Sequence, residues 1–364
     1  MTPSISRMVA ARRQEMAYPA RLFSIANFMR YERPQRGRER EFWQLNLDLF
    51  GVDDIKADTE IVTLGWQLLK NFGANESMFT IKINNRSVIN AMMHDYLGLD
   101  EIQAQLMMKL FDRKNKISNE DFRDQAIEIF GQAAAGEGLK KISTILLAKN
   151  FDALPDELRD NEALADLKDL FTHLTSRGIT NAVFDSSLMR GLDYYTGTVF
   201  EFFDTDPENN RSLFGGGRYD GLVGLFDAEP ISAVGMAPGL TTTELFLTSH
   251  RLLPELDSTT EVYIVVLGEK VEPAAQALAT KLRTEGVSTE VDFTGRKIDK
   301  QIKTAVKKHI PSLIFIGEEE AESELYSFKN IKTGDEIKLS LERIVSAIKD
   351  RRRFAKDDLD ELFD

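Results

Sequence analysis

The sequence predicts an α+β protein in two parts: an antiparallel-sheet domain carrying a helical insertion, followed by a smaller α/β domain. Three observations predict this. Residues 42–50 (Phe-Trp-Gln-Leu-Asn-Leu-Asp-Leu-Phe) alternate apolar and polar side chains with a period near two, the mark of a strand with one buried and one wet face. Residues 86–176 read almost wholly as helix, yet they lie between two strand-rich regions. Beyond residue 260, near-continuous apolar strands alternate with helical segments, which implies parallel pairing with helices on both faces.

The elements follow in order. A helix over 7–16 precedes an apolar strand over 20–29. That strand and 42–50 form a hairpin across an arginine-rich loop, with Pro34 and Gly37 supplying turn chemistry. Residues 58–72 repeat apolar side chains at helical spacing, with Asp58 or Thr59 as N-cap, and 78–83 alternate as a strand. The insertion is expected to break near Asn115, Gly136 and Pro155. Strands resume at 182–184 and 194–203, a glycine-rich turn is expected at 215–217, and a strand over 233–237 leads to a helix over 242–248. The best linker is 252–260, where Pro254 precedes a polar Asp-Ser-Thr-Thr run. Strand 262–267, helix 271–285, strand 288–293, helix 297–308 and strand 312–316 build the second domain. The expected boundaries are therefore 1–252, with the insertion at about 86–176, then 261–350, and a charged tail over 351–364.

A chain of 364 residues exceeds what one core usually organises. With no cysteine, disulfides, thiolate metal sites and thiol catalysis are excluded. His94, His173, His250 and His309 are scattered without ligand spacing. No stretch approaches the roughly 18 apolar residues of a membrane span, and the N-terminus lacks the order of a signal peptide; a cytoplasmic protein with no membrane partner is expected. The net charge of −13 argues against whole-molecule attraction to nucleic acid but not against a local basic groove. Lys297, Lys300, Lys303, Lys307 and Lys308 put such a stripe on helix 297–308, although a solvated helix face is the alternative reading.

Three constellations carry chemistry. Residues 28–38 gather Arg30, Arg33, Arg36 and Arg38 with Glu32. A charge run on a hairpin tip is ordinarily solvated surface, but guanidinium forks grip phosphate oxygens at two points. Residues 190–201 (Arg-Gly-Leu-Asp-Tyr-Tyr-Thr-Gly-Thr-Val-Phe-Glu) concentrate polar tips where a plain core strand would have none, and buried polar groups need partners. Gly215-Gly216-Gly217, ahead of Arg218 and Tyr219, permits close approach of backbone to a ligand. It does not sit between a parallel strand and a helix, as a dinucleotide fingerprint must.

These residues also carry a resemblance. Residues 28–50 resemble motif 2 of class II aminoacyl-tRNA synthetases in its histidine-specific form. Residues 190–201 and 215–222 resemble the two signatures of the histidyl-tRNA synthetase family, and 261–350, with Asp292-Phe293-Thr294-Gly295-Arg296-Lys297, resemble its anticodon-binding domain. The resemblance implies a class II catalytic domain that joins histidine to tRNA(His) through histidyl-adenylate, with ATP and accompanying magnesium, in a homodimer. It implies that Arg30 holds the ATP α-phosphate and the histidine carboxylate, Glu32 reads the adenine amine, Arg38 faces the outer phosphates, and Phe42 helps bind ATP. Gln44 and Asp48 would bind histidine, with Asp48 in place of a more usual glutamate, and Thr2 would lie beside the same amine. Arg190 would be the distinctive catalytic arginine at the α-phosphate and the histidine, and Tyr194, Tyr195 and Tyr219 would line the imidazole pocket.

Two departures matter. Relatives carry a segment with motif 1 ahead of the position of Met1, so an N-terminally shortened chain is expected. In motif 3 they carry an arginine that clamps the ATP γ-phosphate and adenine, where this chain has Thr242; Arg38 or Arg218 is the expected substitute charge. The alternative reading is a catalytically silent paralogue that senses histidine or regulates another enzyme.

Overall fold

The computed structural model describes all residues except 115–116, 160, 190–193, 210, 255, 257 and 361–364; the side chains of Asp152 and 352–360 are also outside the description. The chain divides into two compact units, Met1–Leu253 and Pro254–Asp364.

In the first unit, β1 (Ala20–Met29) and β2 (Glu41–Phe50) form the hairpin that the alternation predicts, paired antiparallel from Ala20↔Phe50 to Met29↔Glu41. They open a seven-stranded sheet with β3 (Phe79–Asn85), β4 (Ala182–Phe184), β5 (Thr198–Asp204), β6 (Ser212–Arg218) and β7 (Ala233–Met236), in the order β1-β2-β7-β6-β5-β3-β4. Every neighbour is antiparallel except β4, which runs parallel to β3. The expected turn at 215–217 is instead the middle of β6. A Cβ on Gly216 would sit 2.1 Å from the Gly235 carbonyl oxygen, so these glycines let β6 and β7 approach rather than bend. Likewise β5 starts at Thr198, leaving Tyr194 and Tyr195 ahead of the strand.

Helix α1 (Thr2–Arg12) begins earlier than the periodicity suggests, with Pro3 in its first turn, where a missing N–H costs nothing. Helix α2 (Ile55–Asn71) is capped by Asp54, whose carboxylate accepts the Lys56 N–H at 2.8 Å. Asp58 and Thr59, the two expected caps, are both buried inside the helix, and Asp58 has another task. The insertion comprises α3 (Arg86–Ala91), α4 (Glu101–Asp112), α5 (Asn119–Phe130), α6 (Ala135–Leu147), α7 (Asp156–Arg159) and α8 (Glu162–Ser176). The break expected near Gly136 falls at 131–134 and opens at Gly131, with φ of 75°, while Gly136 itself lies within α6. Apolar side chains from the insertion, such as Met107, Ile145 and Leu167, share one core with Phe79, Ile81 and Phe202 of the sheet. Helix α9 (Leu240–Ser249) follows β7.

The second unit strings together β8 (Val262–Val266), α10 (Glu272–Thr284), β9 (Thr289–Val291), α11 (Ile298–Lys307), β10 (Ser312–Ile316), α12 (Glu318–Ser323), β11 (Tyr326–Asn330), β12 (Glu336–Leu339) and α13 (Leu341–Asp360). Its sheet order is β12-β11-β10-β8-β9, with β8 fully buried and parallel to both neighbours. The expected parallel pairing holds for β8, β9 and β10, and β11 and β12, which the sequence reading did not include, add an antiparallel hairpin at one edge. Residues 351–360 of the supposed tail continue α13. On α11 only Gln301 and Ala305 are buried, and Gln301 clamps β8 through the Val266 N–H and carbonyl; the lysines face outward. Among the described residues no helix is long and apolar enough to cross a membrane.

Candidate active site

Alternation along β2 puts Phe42, Gln44, Asn46 and Asp48 on one face of the strand. At the open end of that face, just past β1, the Arg30 Nε donates to the Glu39 carbonyl at 2.9 Å, and the guanidinium lies 4.3 Å from the centre of the Phe42 ring. Glu32 receives Arg38 in a two-point pair, with 2.6 Å between Nη2 and Oε1, and lies 3.7 Å from Arg30. Burial lowers the Arg30 pKa, with Glu32 working against it and the charges of Arg38 and Arg211 adding to it. The Arg38 hydrogen bond in turn holds the Glu32 carboxyl below its ordinary range. These groups border a cleft of about 1200 Å³ whose lining includes Arg30, Arg38, Phe42, Gln44, Tyr195, Glu201, Arg211 and Thr242. Ser118 and Asp121 of the insertion reach the same cleft.

Deeper along β2 the surroundings become dry. Tyr219 is 1% exposed and donates its hydroxyl to Asp48, itself 5% exposed. Tyr194 and Tyr195 pack edge to face at 5.0 Å, and Tyr194 meets Tyr219 at 5.8 Å. Burial raises all three tyrosines, so they stay protonated as donors, and Tyr194 is hydrogen-bonded with Thr2. Burial likewise pushes the Asp48 carboxyl up to about 6, against the pull of the Tyr219 hydroxyl. Gly235 makes room for this dyad: a Cβ there would stand 2.8 Å from Asp48 Oδ1 and 2.9 Å from the Tyr219 hydroxyl.

The structure thus brings together Arg30, Glu32, Arg38, Phe42 and Gln44 at one end, and Thr2, Asp48, Tyr194 and Tyr219 at the other, with Tyr195 belonging to both. Arg190 lies outside the described residues; Leu188, Met189 and Tyr195, on either side of it in sequence, line the cleft. Arg218, an expected substitute for the motif 3 arginine, is committed elsewhere. Its side chain is 10% exposed and pairs with the fully buried Asp58, with Asp220 at 3.2 Å and with the Asp54 carbonyl at 3.0 Å. Thr242 spends its hydroxyl on the Leu213 and Gly239 carbonyls, at 2.5 and 3.1 Å.

Two residues escaped the sequence reading. Asn46, 3% exposed between Gln44 and Asp48, has an amide nitrogen with no hydrogen-bond partner among the described residues; the period of β2 already put it on the right face. Arg211 lines the cleft beside Thr242 and bonds the Gln35 amide oxygen. No local pattern singles out an arginine ahead of β6.

The histidyl-tRNA synthetase family model matches residues 1–242, and the anticodon binding domain model matches 261–351. A histidine–tRNA ligase of Leptospira biflexa is 37% identical over 353 residues, covering 96% of this chain and 80% of the relative. The histidine–tRNA ligase of Pyrococcus furiosus is 31% identical over 366 residues, covering 96% and 81%. Among solved structures, histidyl-tRNA synthetase from Nostoc sp. PCC 7120 superposes with a TM-score of 0.75 at 24% identity, covering 95% of this chain and 81% of its own. A Bacillus halodurans protein described as an ATP phosphoribosyltransferase regulatory subunit/histidyl-tRNA synthetase gives 0.62 at 25%, covering 85% and 77%. A match running through the arginine hairpin, the tyrosine pocket and the separate second unit alike leaves one assignment: the chain belongs to the histidyl-tRNA synthetase family.

Proposed function

We propose that the cleft joins histidine to ATP as histidyl-adenylate and then passes the histidyl group to the terminal ribose of tRNA(His). Ligation of histidine to tRNA is the activity for which the relatives are named. The observation that carries the reading is the continuity of two groups: a cationic cleft with Arg30 over Phe42, and a buried cluster of Asp48 and three tyrosines against it, joined at Tyr195, which lines the cleft.

In the first step a histidine carboxylate oxygen attacks the α-phosphorus in line, and pyrophosphate leaves. No side-chain nucleophile is needed; positioning and charge stabilisation do the work. Arg30 is assigned the α-phosphate and the carboxylate, with Arg190 as the second cation there. Glu32 and Phe42 are assigned the adenine, and Arg38 the neighbouring phosphates. Because Glu32 and Arg38 already hold each other, ATP would enter by sharing that pair. Asp48, Thr2 and Gln44 would receive the substrate amine and Tyr194, Tyr195 and Tyr219 its ring. In the second step the ribose hydroxyl attacks the histidyl carbonyl and AMP leaves. Magnesium is proposed to arrive with ATP. Among the described residues no group of three or more His, Asp or Glu side chains gathers to hold a metal, so phosphate and water oxygens would supply most of its ligands, beside one or two carboxylates. The outward lysines of α11 are the proposed tRNA contacts of the second unit, and such a substrate fits a cytoplasmic protein.

The test is exchange of labelled pyrophosphate into ATP, expected only with histidine present. Histidine binding without exchange favours the second reading, a silent histidine-binding paralogue, to which the uncharged Thr242 lends support.

A homodimer fits the opposite face of the same hairpin. Phe23, Ile25, Met29 and Trp43 are 73%, 66%, 80% and 49% exposed on the side of β1 and β2 away from Asp48, an apolar patch that ordinarily marks an interface. Phe23→Glu with Ile25→Glu is expected to convert dimer to monomer in sedimentation; an unchanged dimer would assign the interface elsewhere.

A further inference from the structure

Arg211 sits in the wall between the hairpin loop and the start of α9. A Cβ on Gly37 would lie 3.9 Å from Arg211 Cδ and 3.5 Å from Thr242 Cγ2, so the arginine stem and the threonine methyl share one spot. Its guanidinium donates to the Gln35 amide oxygen. Among the described residues no carboxylate pairs with it. The other cations nearby differ: Arg38 is matched by Glu32, Arg36 lies 3.8 Å from Glu208, and Arg218 is locked to Asp58. A neutral amide orients a guanidinium without cancelling its charge. That charge reaches Arg30 and Glu32, on both of which it acts electrostatically.

The mouth of the cleft thus collects Arg30, Arg38 and Arg211, with Glu32 the carboxylate shared by the first two. Like charges held this close repel until an anion of several charges bridges them. Thr242 offers no charge, and its hydroxyl is taken by two carbonyls. We propose that Arg211 binds the outer phosphates of ATP, supplying from the loop ahead of β6 the cation that this chain lacks at Thr242. The proposal rests on the reading of the cleft as a site of adenylate formation. It adds a residue that works through the pyrophosphate portion of the nucleotide: a guanidinium fork meets phosphate oxygens at two points, and Gln35 holds it ready.

The experiment compares Arg211→Gln with the parent protein, using ATP and AMP as probes in equilibrium binding and pyrophosphate exchange for turnover. Arg211→Gln is expected to weaken ATP binding, and raise the ATP KM, by about tenfold or more, as loss of a charged hydrogen bond implies. AMP affinity and the histidine KM stay within about twofold, because neither ligand carries outer phosphates; their retention also reports an intact fold. Arg211→Lys keeps part of the ATP affinity. Adding Thr242→Arg to Arg211→Gln restores it by about fivefold or more, a rescue that a structural role for Arg211 would not permit. Unchanged ATP affinity in Arg211→Gln overturns the proposal, as does equal weakening of ATP and AMP. A parent protein that binds ATP better than AMP but shows no histidine-dependent exchange would overturn the adenylation reading alone, with Arg211 still decided by the two nucleotides.

Discussion

The two ends of the cleft solve opposite problems on one strand face. At the inner end Asp48 and Tyr219 are buried, hydrogen-bonded to each other and framed by Gly235, so their arrangement is set before any ligand arrives. At the outer end Arg30, Glu32 and Arg38 are each about one-third exposed and hold one another in a pattern that a nucleotide must rearrange. A small ligand bearing one ammonium needs a dry, fixed counter-charge. A polyanion needs a surplus of cations that water keeps affordable. Burial therefore makes the inner end sensitive to single atoms, while the outer end is sensitive to net charge.

That contrast is broken most forcefully beneath the inner end, at the Arg218–Asp58 pair. Arg218→Ala leaves the Asp58 carboxylate, with no exposed side-chain surface, without its main cation. Stranding one member of a buried pair costs about 3–5 kcal/mol, read as a lower denaturant midpoint, and Asp58→Asn in the same chain should recover part of it. A midpoint that does not move would mean that the dry end is not held by this pair. At the outer end Arg30→Ala should leave stability almost untouched while lowering exchange about 10²–10³-fold, the usual effect of deleting one preorganised donor. A rise in the ATP KM with turnover unchanged would instead make Arg30 a binding group without a role at the reacting phosphorus.

Asp48→Asn sharpens the comparison with a smaller effect. It keeps the shape and removes the charge, so the histidine KM should rise about 10–100-fold, the worth of a charged hydrogen bond, with the ATP KM unmoved. A rise in both constants would show that the two ends are not separable.

How much of this was legible follows the same division. The period of two along β1 and β2 is a backbone property, so both strands, and the shared face of Phe42, Gln44 and Asp48, could be read directly. The glycines of β6 were misread as a turn because their purpose is clearance from Gly235 and Phe200, a contact between strands distant in sequence. Gly131 and Gly136 look alike in sequence, but only the first takes a left-handed φ and ends its helix. The hairpin of β11 and β12 escaped although Tyr-Ser-Phe-Lys and Glu-Ile-Lys-Leu both alternate, because runs of five and four residues are too short for a period to stand out. Arg218 and Arg211 show the limit for the site. One is spent on Asp58, 160 residues away, and the other lines the cleft, and only the tertiary contacts tell them apart.

The smallest expected effect is the dependence of the inner end on pH, and its sign is fixed by Asp48. Its carboxyl rises from the usual 3.8 to about 6 in the folded chain because burial penalises the anion. Between those values the native state holds a proton that the unfolded chain has released. Stability from this group is therefore present at low pH, falls as pH rises through that window, and is level above it. Binding runs the other way, since an ammonium needs the anion: below about 6 the parent protein should lose its advantage in histidine KM over Asp48→Asn. The imidazole of free histidine titrates near about 6.5, but it does so for both proteins, so the ratio of their KM values isolates Asp48. A ratio that stays constant from pH about 5 to about 8 would remove Asp48 as the counter-charge, and with it the claim that the inner end is tuned by dryness.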